Sequence, residues 1–186
     1  MKYILGVIGV IGALFLLFIF VFRGNDTQTP ETAKITNLVE YADKDSSVSV
    51  TTFGRVVGEE ERRAIRIVVT PNERRLEILD GYDESIMSSQ TYPNTRTAYE
   101  NFLSAIGGQG YLVDKETNIT DQRSVCPTGK RYVYDVSENG QSVSNLWSIS
   151  CDRSGTFNGK ASTVRQLFEL QIPDYTRQVV GVKLNS

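Results

Sequence analysis

"RRAIRIVVTPNERRLEILDG", from Arg62 to Gly81, is the stretch of sequence that decides the fold. Apolar residues alternate with other residues on both sides of a turn, and this period of two is typical of strands with one buried face. The alternating residues are Ile65, Ile67 and Val69 before the turn, and Leu76 and Ile78 after it. Pro71 and Asn72 favour a tight turn between the two runs. The stretch therefore predicts two antiparallel strands of a meander.

Further strands and a helix flank this pair. "SVSVTTFGRVV" before it and "SIMSSQTY" after it are partly alternating and rich in strand-forming residues, and predict two more strands. "NTRTAYENFLSAIGGQG", residues 94–110, then changes to a helical period. Its predicted buried residues are Tyr99, Phe102, Leu103 and Ile106. Thr97 and Glu100 have the spacing of a capping box, and Gly107 and Gly108 end the helix.

A second hairpin is predicted over residues 130–150, with Asn139 and Gly140 as a type I′ turn. In the register that this turn sets, Cys126 and Cys151 lie almost opposite each other at the open end. They are the only two cysteines of the chain. A disulfide between them would stabilise the fold by roughly 3 to 4 kcal/mol. The alternative is two reduced buried thiols in a cytosolic domain.

The last segments complete the domain. "STVRQLFELQIPDY" predicts a helix with Val164, Leu167 and Phe168 inward and a stop at Pro173, and "RQVVGVKL", residues 177–184, predicts a final strand. Residues 46–186 are therefore expected to form an α+β domain, a mainly antiparallel sheet with two to three packed helices.

The N-terminus differs from this domain in composition. Residues 3–22 carry no charge and are long enough to span a membrane at about 1.5 Å per residue. The run is longer than a cleaved signal and ends in bulky residues, so residues 1–23 are predicted to be an uncleaved transmembrane signal anchor. The flanking charges hardly select an orientation. The predicted disulfide favours a single-pass protein in the cell membrane with its C-terminal domain outside the cytoplasm.

Residues 24–45 are expected to be a polar linker that ends in a short amphipathic helix. Thr29 is a good N-cap and Pro30 suits the first helical position. One face of this helix would carry Ile35, Leu38, Val39 and Ala42.

Composition excludes several classes of function. The net charge of −2 argues against nucleic acid as a partner. The chain has no histidine, which removes Ser-His-Asp and Cys-His catalysis, histidine zinc sites and an imidazole base. We predict no cofactor, no metal site and no catalytic residue of these kinds.

The most uneven charge feature is a group of arginines that forms a candidate patch for an anionic partner. Its members are Arg62, Arg63, Arg66, Arg74 and Arg75. On one shared face they would bind lipid headgroups or wall polymers, because arginine matches phosphate bidentately. The alternative is an ordinary solvated face in which they pair with neighbouring glutamates. Tyr132, Tyr134 and Trp147 are a candidate aromatic patch for sugars, with burial in the core as the alternative.

Two groups of acidic residues are further candidate sites. Asp80, Asp83 and Glu84 lie close together in a predicted turn, and Glu100 with Asp135 is a second candidate pair for calcium binding or glycan hydrolysis. The glycine-rich stretch from Gly155 to Ser162 departs from a phosphate loop in its glycine spacing and in lacking the hydroxyl residue. It is interpreted as a turn before the last helix.

Four motifs occur in order behind the N-terminal apolar run: "CPTGKRYVYDV", "LWSISC", "GTFNGK" and "LFELQIPDY". Over residues 60–186 the chain resembles uncharacterised single-pass envelope proteins of small-genome bacteria. The resemblance implies a bacterial envelope location and assigns no functional residue.

Together these observations predict a membrane-anchored extracytoplasmic domain with a non-enzymatic binding or structural role in the cell envelope. Its expected partners are membrane lipid through residues 3–22, and an envelope protein or an anionic wall polymer. Its oligomeric state is open. The alternatives are a pilin-like or secretion-apparatus subunit and a carboxylate-dependent envelope glycan hydrolase.

Overall fold

The computed structural model describes residues 37–184 except positions 120, 124 and 153. The predicted anchor, residues 1–23, and the predicted helix start at Thr29 and Pro30 lie outside the described residues. Within the described part of the chain, no helix is long and apolar enough to cross a membrane.

In the described part of the chain, six antiparallel strands form one sheet in the order β4-β3-β2-β1-β5-β6. The strands are β1 (Ser46–Phe53), β2 (Arg63–Val69), β3 (Glu73–Asp80), β4 (Ser85–Pro93), β5 (Arg131–Glu138) and β6 (Gln141–Ile149). The first four form the predicted meander, and the β5–β6 hairpin pairs with β1 rather than following β4 in the sheet. The mainly antiparallel sheet predicted from sequence is confirmed.

Alternation along the strands gives the sheet two different faces. The front face carries the main hydrophobic core, which includes all five alternating residues of the opening stretch. Three helices contribute to this core: α1 (Arg96–Gly107), α2 (Ala161–Glu169) and α3 (Tyr175–Val179). The back face carries a smaller cluster of Phe53, Ala64 and Leu79, against which Val133 packs. The domain is therefore an α+β fold, as predicted.

Helix α1 buries Tyr99, Phe102, Leu103 and Ile106, as its periodicity predicts. Its N-cap is Thr95, whose hydroxyl accepts a hydrogen bond from the Ala98 amide at 3.2 Å. The predicted capping box at Thr97 and Glu100 is therefore wrong. A cap needs extended backbone, which Thr95 has, whereas Thr97 already lies in the first helical turn.

The described part of the predicted N-terminal amphipathic helix is a 3₁₀ turn, Leu38–Tyr41. Leu38 and Ala42 are buried as predicted, but Val39 is 37% exposed. A 3₁₀ turn has about three residues per turn instead of 3.6, so residues predicted to share one face are rotated apart.

The predicted last strand, residues 177–184, is wrong. Asp174 takes a left-handed conformation, with φ of 51°, and the chain then forms α3. After α3, Val182 and Leu184 pack against the main core, and the Leu184 carbonyl accepts a hydrogen bond from the Arg55 amide. The apolar residues of this segment are thus covered by packing on the core instead of by pairing with a strand.

The second hairpin turns at Asn139 and Gly140, whose φ values of 51° and 75° are both positive, as a type I′ turn requires. Near this turn, the register of β5 with β6 shifts between Val136 and Ser137. The predicted disulfide between Cys126 and Cys151 is present, with a Cα–Cα distance of 5.8 Å.

Candidate functional site

The five arginines of the candidate patch do not share one face of the sheet. The strand register places Arg66 opposite Glu77 and Arg75 opposite Val68 on the back face. Arg63 and Arg74 occupy the alternate positions on the same strands and therefore lie on the front side. Successive residues of a strand point to opposite faces. The arginines are therefore close together in the sequence but divided between the two faces of the sheet.

Arg66 and Arg75 share one buried carboxylate, and each also has a second acidic neighbour, Glu84 for Arg66 at 4.0 Å and Glu73 for Arg75. Glu77 is only 2% exposed, and its two oxygens accept hydrogen bonds from Arg66 Nε at 2.7 Å and Arg75 Nε at 2.6 Å. Burial acts to lower the pKa of Arg75, but the hydrogen bonds and charges of Glu77 and Glu73 together outweigh it, so that the pKa is raised. For this pair the solvated, ion-paired interpretation applies.

Two other arginines bind locally. Arg63 forms an ion pair with Asp80, its partner across the strands. Arg74 donates to the Pro93 carbonyl from Nε and Nη2, at 3.2 and 3.0 Å. Among the described residues, no carboxylate forms an ion pair with Arg74. Its charge thus remains available beside the end of β4.

Arg62 differs from the rest because it is buried, with 6% of its surface exposed, between aromatic rings. Its guanidinium carbon lies 4.2 Å from the centre of the Tyr82 ring and 5.0 Å from that of Phe53. The guanidinium carbon of Arg131 lies 4.1 Å from the centre of the same Phe53 ring. We call Tyr82, Arg62, Phe53 and Arg131 the arginine–aromatic stack.

Pairing of β1 with both β2 and β5 builds this stack. Phe53 ends β1 and is the register partner of Arg131, the first residue of β5. Arg62 immediately precedes β2, and Tyr82 lies in the turn between β3 and β4. The Tyr82 hydroxyl donates to the Val57 carbonyl at 2.9 Å, which holds the ring in place. Phe53, Tyr82 and Arg131 were not predicted, because no local pattern indicates that β5 pairs with β1 or that the turn before β4 packs against Arg62.

The charge of the stack is incompletely compensated. Among the described residues, neither Arg62 nor Arg131 forms an ion pair, and the buried Nε atom of each has no hydrogen-bond partner. Burial lowers the pKa of Arg131, and the nearby charge of Arg62 lowers it further, while Glu84 acts in the opposite direction. Such a pair of guanidinium groups is chemically suited to binding an anion.

The three residues of the candidate aromatic patch are buried. Tyr134 is fully buried, and Trp147 and Tyr132 are 6% and 9% exposed. The Tyr134 ring stacks on Phe157 at 4.0 Å between centres, and the Arg165 guanidinium lies 3.9 Å from the Tyr132 ring centre. These contacts correspond to the core role that was the alternative to sugar binding.

The candidate carboxylates are engaged locally or kept apart. Asp80 pairs with Arg63, and Asp83 accepts a hydrogen bond from the Ser85 amide. Asp135 accepts hydrogen bonds from three side chains of its own hairpin, which are Ser137, Ser142 and Asn145. Asp135 is the register partner of Ser49 on the back face, whereas Glu100 belongs to α1 on the front side. The sheet therefore separates Glu100 from Asp135.

The glycine-rich stretch forms a turn before α2, as interpreted from sequence. It borders a depression of about 520 Å³ that also contacts Lys115, Tyr132 and Arg165. Gly155 has φ of +124° and lies against the backbone of Trp147, so its role here is a close backbone approach.

Within the described ranges, no group of three or more acidic or cysteine side chains is placed to hold a metal ion. No protein-family model matches the chain, and comparisons with curated proteins and with solved structures also found no match. The proposals below therefore depend on the geometry of this chain alone.

Proposed function

We propose that this chain is a non-enzymatic binding protein of the cell envelope, anchored by residues 1–23, that binds an anionic group at the arginine–aromatic stack. The observation that carries the proposal is Arg62, a buried guanidinium that forms no ion pair within the described part of the chain. The charge-free run at residues 3–22 and the disulfide support the location outside the cytoplasm.

Arg62 carries a charge that is removed from water. Buried charged groups in proteins are normally paired, because an unpaired ion loses its hydration without compensation. The rings of Phe53 and Tyr82 compensate part of this loss for Arg62 through cation–π contact. A second cation, Arg131, touches the same Phe53 ring and adds to the local positive charge. An external anion at the partly exposed Arg131 would offset this local positive charge.

Phosphate is the ligand chemistry that we assign to this site, because guanidinium groups bind its oxygens in a fixed fork geometry. Two envelope components present such groups on a surface or chain: lipid headgroups and phosphate-containing wall polymers. Arg131 is partly exposed, whereas Arg62 is buried. We therefore expect Arg131 to make the first contact with either ligand.

The test uses the full chain in neutral detergent micelles and two probes, soluble polyphosphate and micelles that contain phosphatidylglycerol, with calorimetric titration as the readout. We expect Arg131→Gln to weaken binding about tenfold or more, since a hydrogen bond to a charged group contributes roughly 1.5 to 3 kcal/mol. The control is Arg177→Gln, which removes the same charge from an exposed side chain of α3.

Near-UV circular dichroism establishes that both variants keep the native packing. Equal affinity of Arg131→Gln and the parent chain would disprove the proposed site, as would an equal loss in Arg177→Gln. A loss confined to one probe identifies that probe as the class of ligand.

A further inference from the structure

The two edges of the sheet are protected to different degrees. At the β6 edge, residues 155–157 cover the end of the strand: Ser148 bridges to Gly155, and the Trp147 carbonyl accepts from the Phe157 amide at 2.9 Å. At the other edge, eight of the nine residues of β4 are exposed. Among the described residues no strand pairs with the outer side of β4, so this edge is available to another strand up to Pro93, whose carbonyl already accepts from Arg74.

Strand β4 also lacks charged residues, which are one usual protection of an edge, and its two other protective features, the bulge at Met87 and Pro93, lie towards its ends. No charge occurs from Ser85 to Pro93, and Ile86 and Met87 are 56% and 55% exposed. Met87 is an extra residue in the pairing with β3, where the register shifts between Ile78 and Leu79. The regular part of the edge is therefore Ser88–Pro93, and Gln90 lies near its middle.

Opposite charges at the two ends of β4 indicate what would pair with it. Asp83 and Glu84 precede the strand, whereas the Arg74 guanidinium lies on the Pro93 carbonyl at its end. Neither Asp83 nor Arg74 forms an ion pair within the described residues. A second copy in antiparallel orientation would place the acidic end of each strand beside the basic end of the other.

We propose that two copies of this chain associate by antiparallel pairing of β4 with β4 near Gln90, so that their sheets become one continuous sheet. The pairing would bring Ile86 and Met87 of each copy towards Tyr92 and Pro93 of the other and cover this exposed apolar surface. The inference is independent of the arginine–aromatic stack, none of whose residues belongs to β4.

The direct test is disulfide cross-linking of the full chain in membranes. Both native cysteines are bonded to each other, so a cysteine introduced by substitution is the only free thiol. Under mild oxidation we expect Gln90→Cys to form covalent dimers at several times the yield of Gln141→Cys. The latter is a matched control, because it changes an exposed glutamine at the other edge of the sheet.

Absence of a Gln90→Cys dimer above the control level would overturn the proposal. So would cross-linking of Gln90→Cys to a different protein instead of to itself, because β4 would then serve another partner. Dimers held together only by the apolar N-terminal run would give no higher cross-linking yield for Gln90→Cys than for Gln141→Cys. Comparing the two variants therefore distinguishes association through β4 from association through that run.

Charge reversal tests the orientation of the two strands. Asp83→Arg and Arg74→Asp should each lower the yield of Gln90→Cys dimers about fivefold, and the combined variant should restore it. Failure of the combined variant to recover the yield would contradict the antiparallel arrangement.

Discussion

Beside the disulfide, Gly129 occupies a position that no larger residue fits. A Cβ atom added there would overlap Cys126 Sγ and would lie 2.6 Å from Ser150 Oγ and 2.9 Å from Cys151 Sγ. The Ser150 hydroxyl is itself fixed, since it accepts a hydrogen bond from the Lys130 amide at 2.8 Å. Both sulfur atoms and this hydroxyl therefore limit residue 129 to glycine.

We predict that Gly129→Ala destabilises the domain by about 2 kcal/mol or more, because the disulfide and the start of β5 must shift to admit the methyl group. The free energy of unfolding in urea measures this effect. Gly58→Ala is the control, since a Cβ at Gly58 meets nothing within 4 Å and its φ of −60° suits any residue. Similar losses in the two variants would contradict the explanation by close packing.

At the scale of a single element, the periodic pattern of α1 predicts which residues are buried but not where the helix begins. Its buried face follows from spacing alone, and all four predicted residues are buried. The start of α1 does not follow from spacing, because both Thr95 and Thr97 are chemically suitable caps. The backbone entering from β4 is extended through Thr95, and this conformation selects the cap.

We expect Thr95→Ala to lower the free energy of unfolding by about 1 kcal/mol, the usual loss when a capping hydroxyl is removed. Thr97→Ala should change it by less than about 0.5 kcal/mol, since this residue lies within the first turn and alanine favours helix. Urea denaturation of the two variants decides between the caps. If Thr97→Ala lowered the free energy of unfolding more than Thr95→Ala does, the cap at Thr95 would be contradicted and the capping box of Thr97 and Glu100 supported.

On the scale of the whole molecule, buried tyrosine hydroxyls connect the sheet to its covering segments. Tyr111 lies after α1, and its hydroxyl is 2.7 Å from the Ser49 carbonyl on β1 and 2.9 Å from the Asp135 carbonyl on β5. Burial raises the pKa of Tyr111 well above its usual value, and burial raises that of Tyr99 to about 12. Folding therefore favours the neutral phenol.

This burial predicts loss of stability in alkali. Above about pH 10 an unfolded tyrosine releases its proton while Tyr99 and Tyr111 keep theirs, so the native state binds more protons and the free energy of unfolding falls as pH rises. The stabilisation is fully present below about pH 10, and each tyrosine contributes up to about 1.4 kcal/mol per pH unit above it. Urea denaturation across this range measures the slope, which Tyr99→Phe should reduce. A flat profile would contradict the prediction.

The sequence by itself indicated the six strands of the sheet, the buried faces of β2 and β3, the buried face of α1 and the turn at Asn139 and Gly140, and it favoured the pairing of Cys126 with Cys151. These features depend on residues close together in the chain, or on register counted from one turn, so periodicity and turn chemistry are sufficient. Expectations for the residues before 37 stay predictions.

Only the tertiary structure decided which residues meet across the sheet. Pairing of β5 with β1 brought Arg131 to Phe53, and alternation on β2 and β3 divided the arginine group between two faces. The strand order also leaves β4 uncovered at one edge of the sheet, while residues 155–157 cover part of the other edge. These outcomes depend on contacts between residues far apart in the chain. Many strand orders satisfy the same local pattern, and packing of the complete core selects one of them.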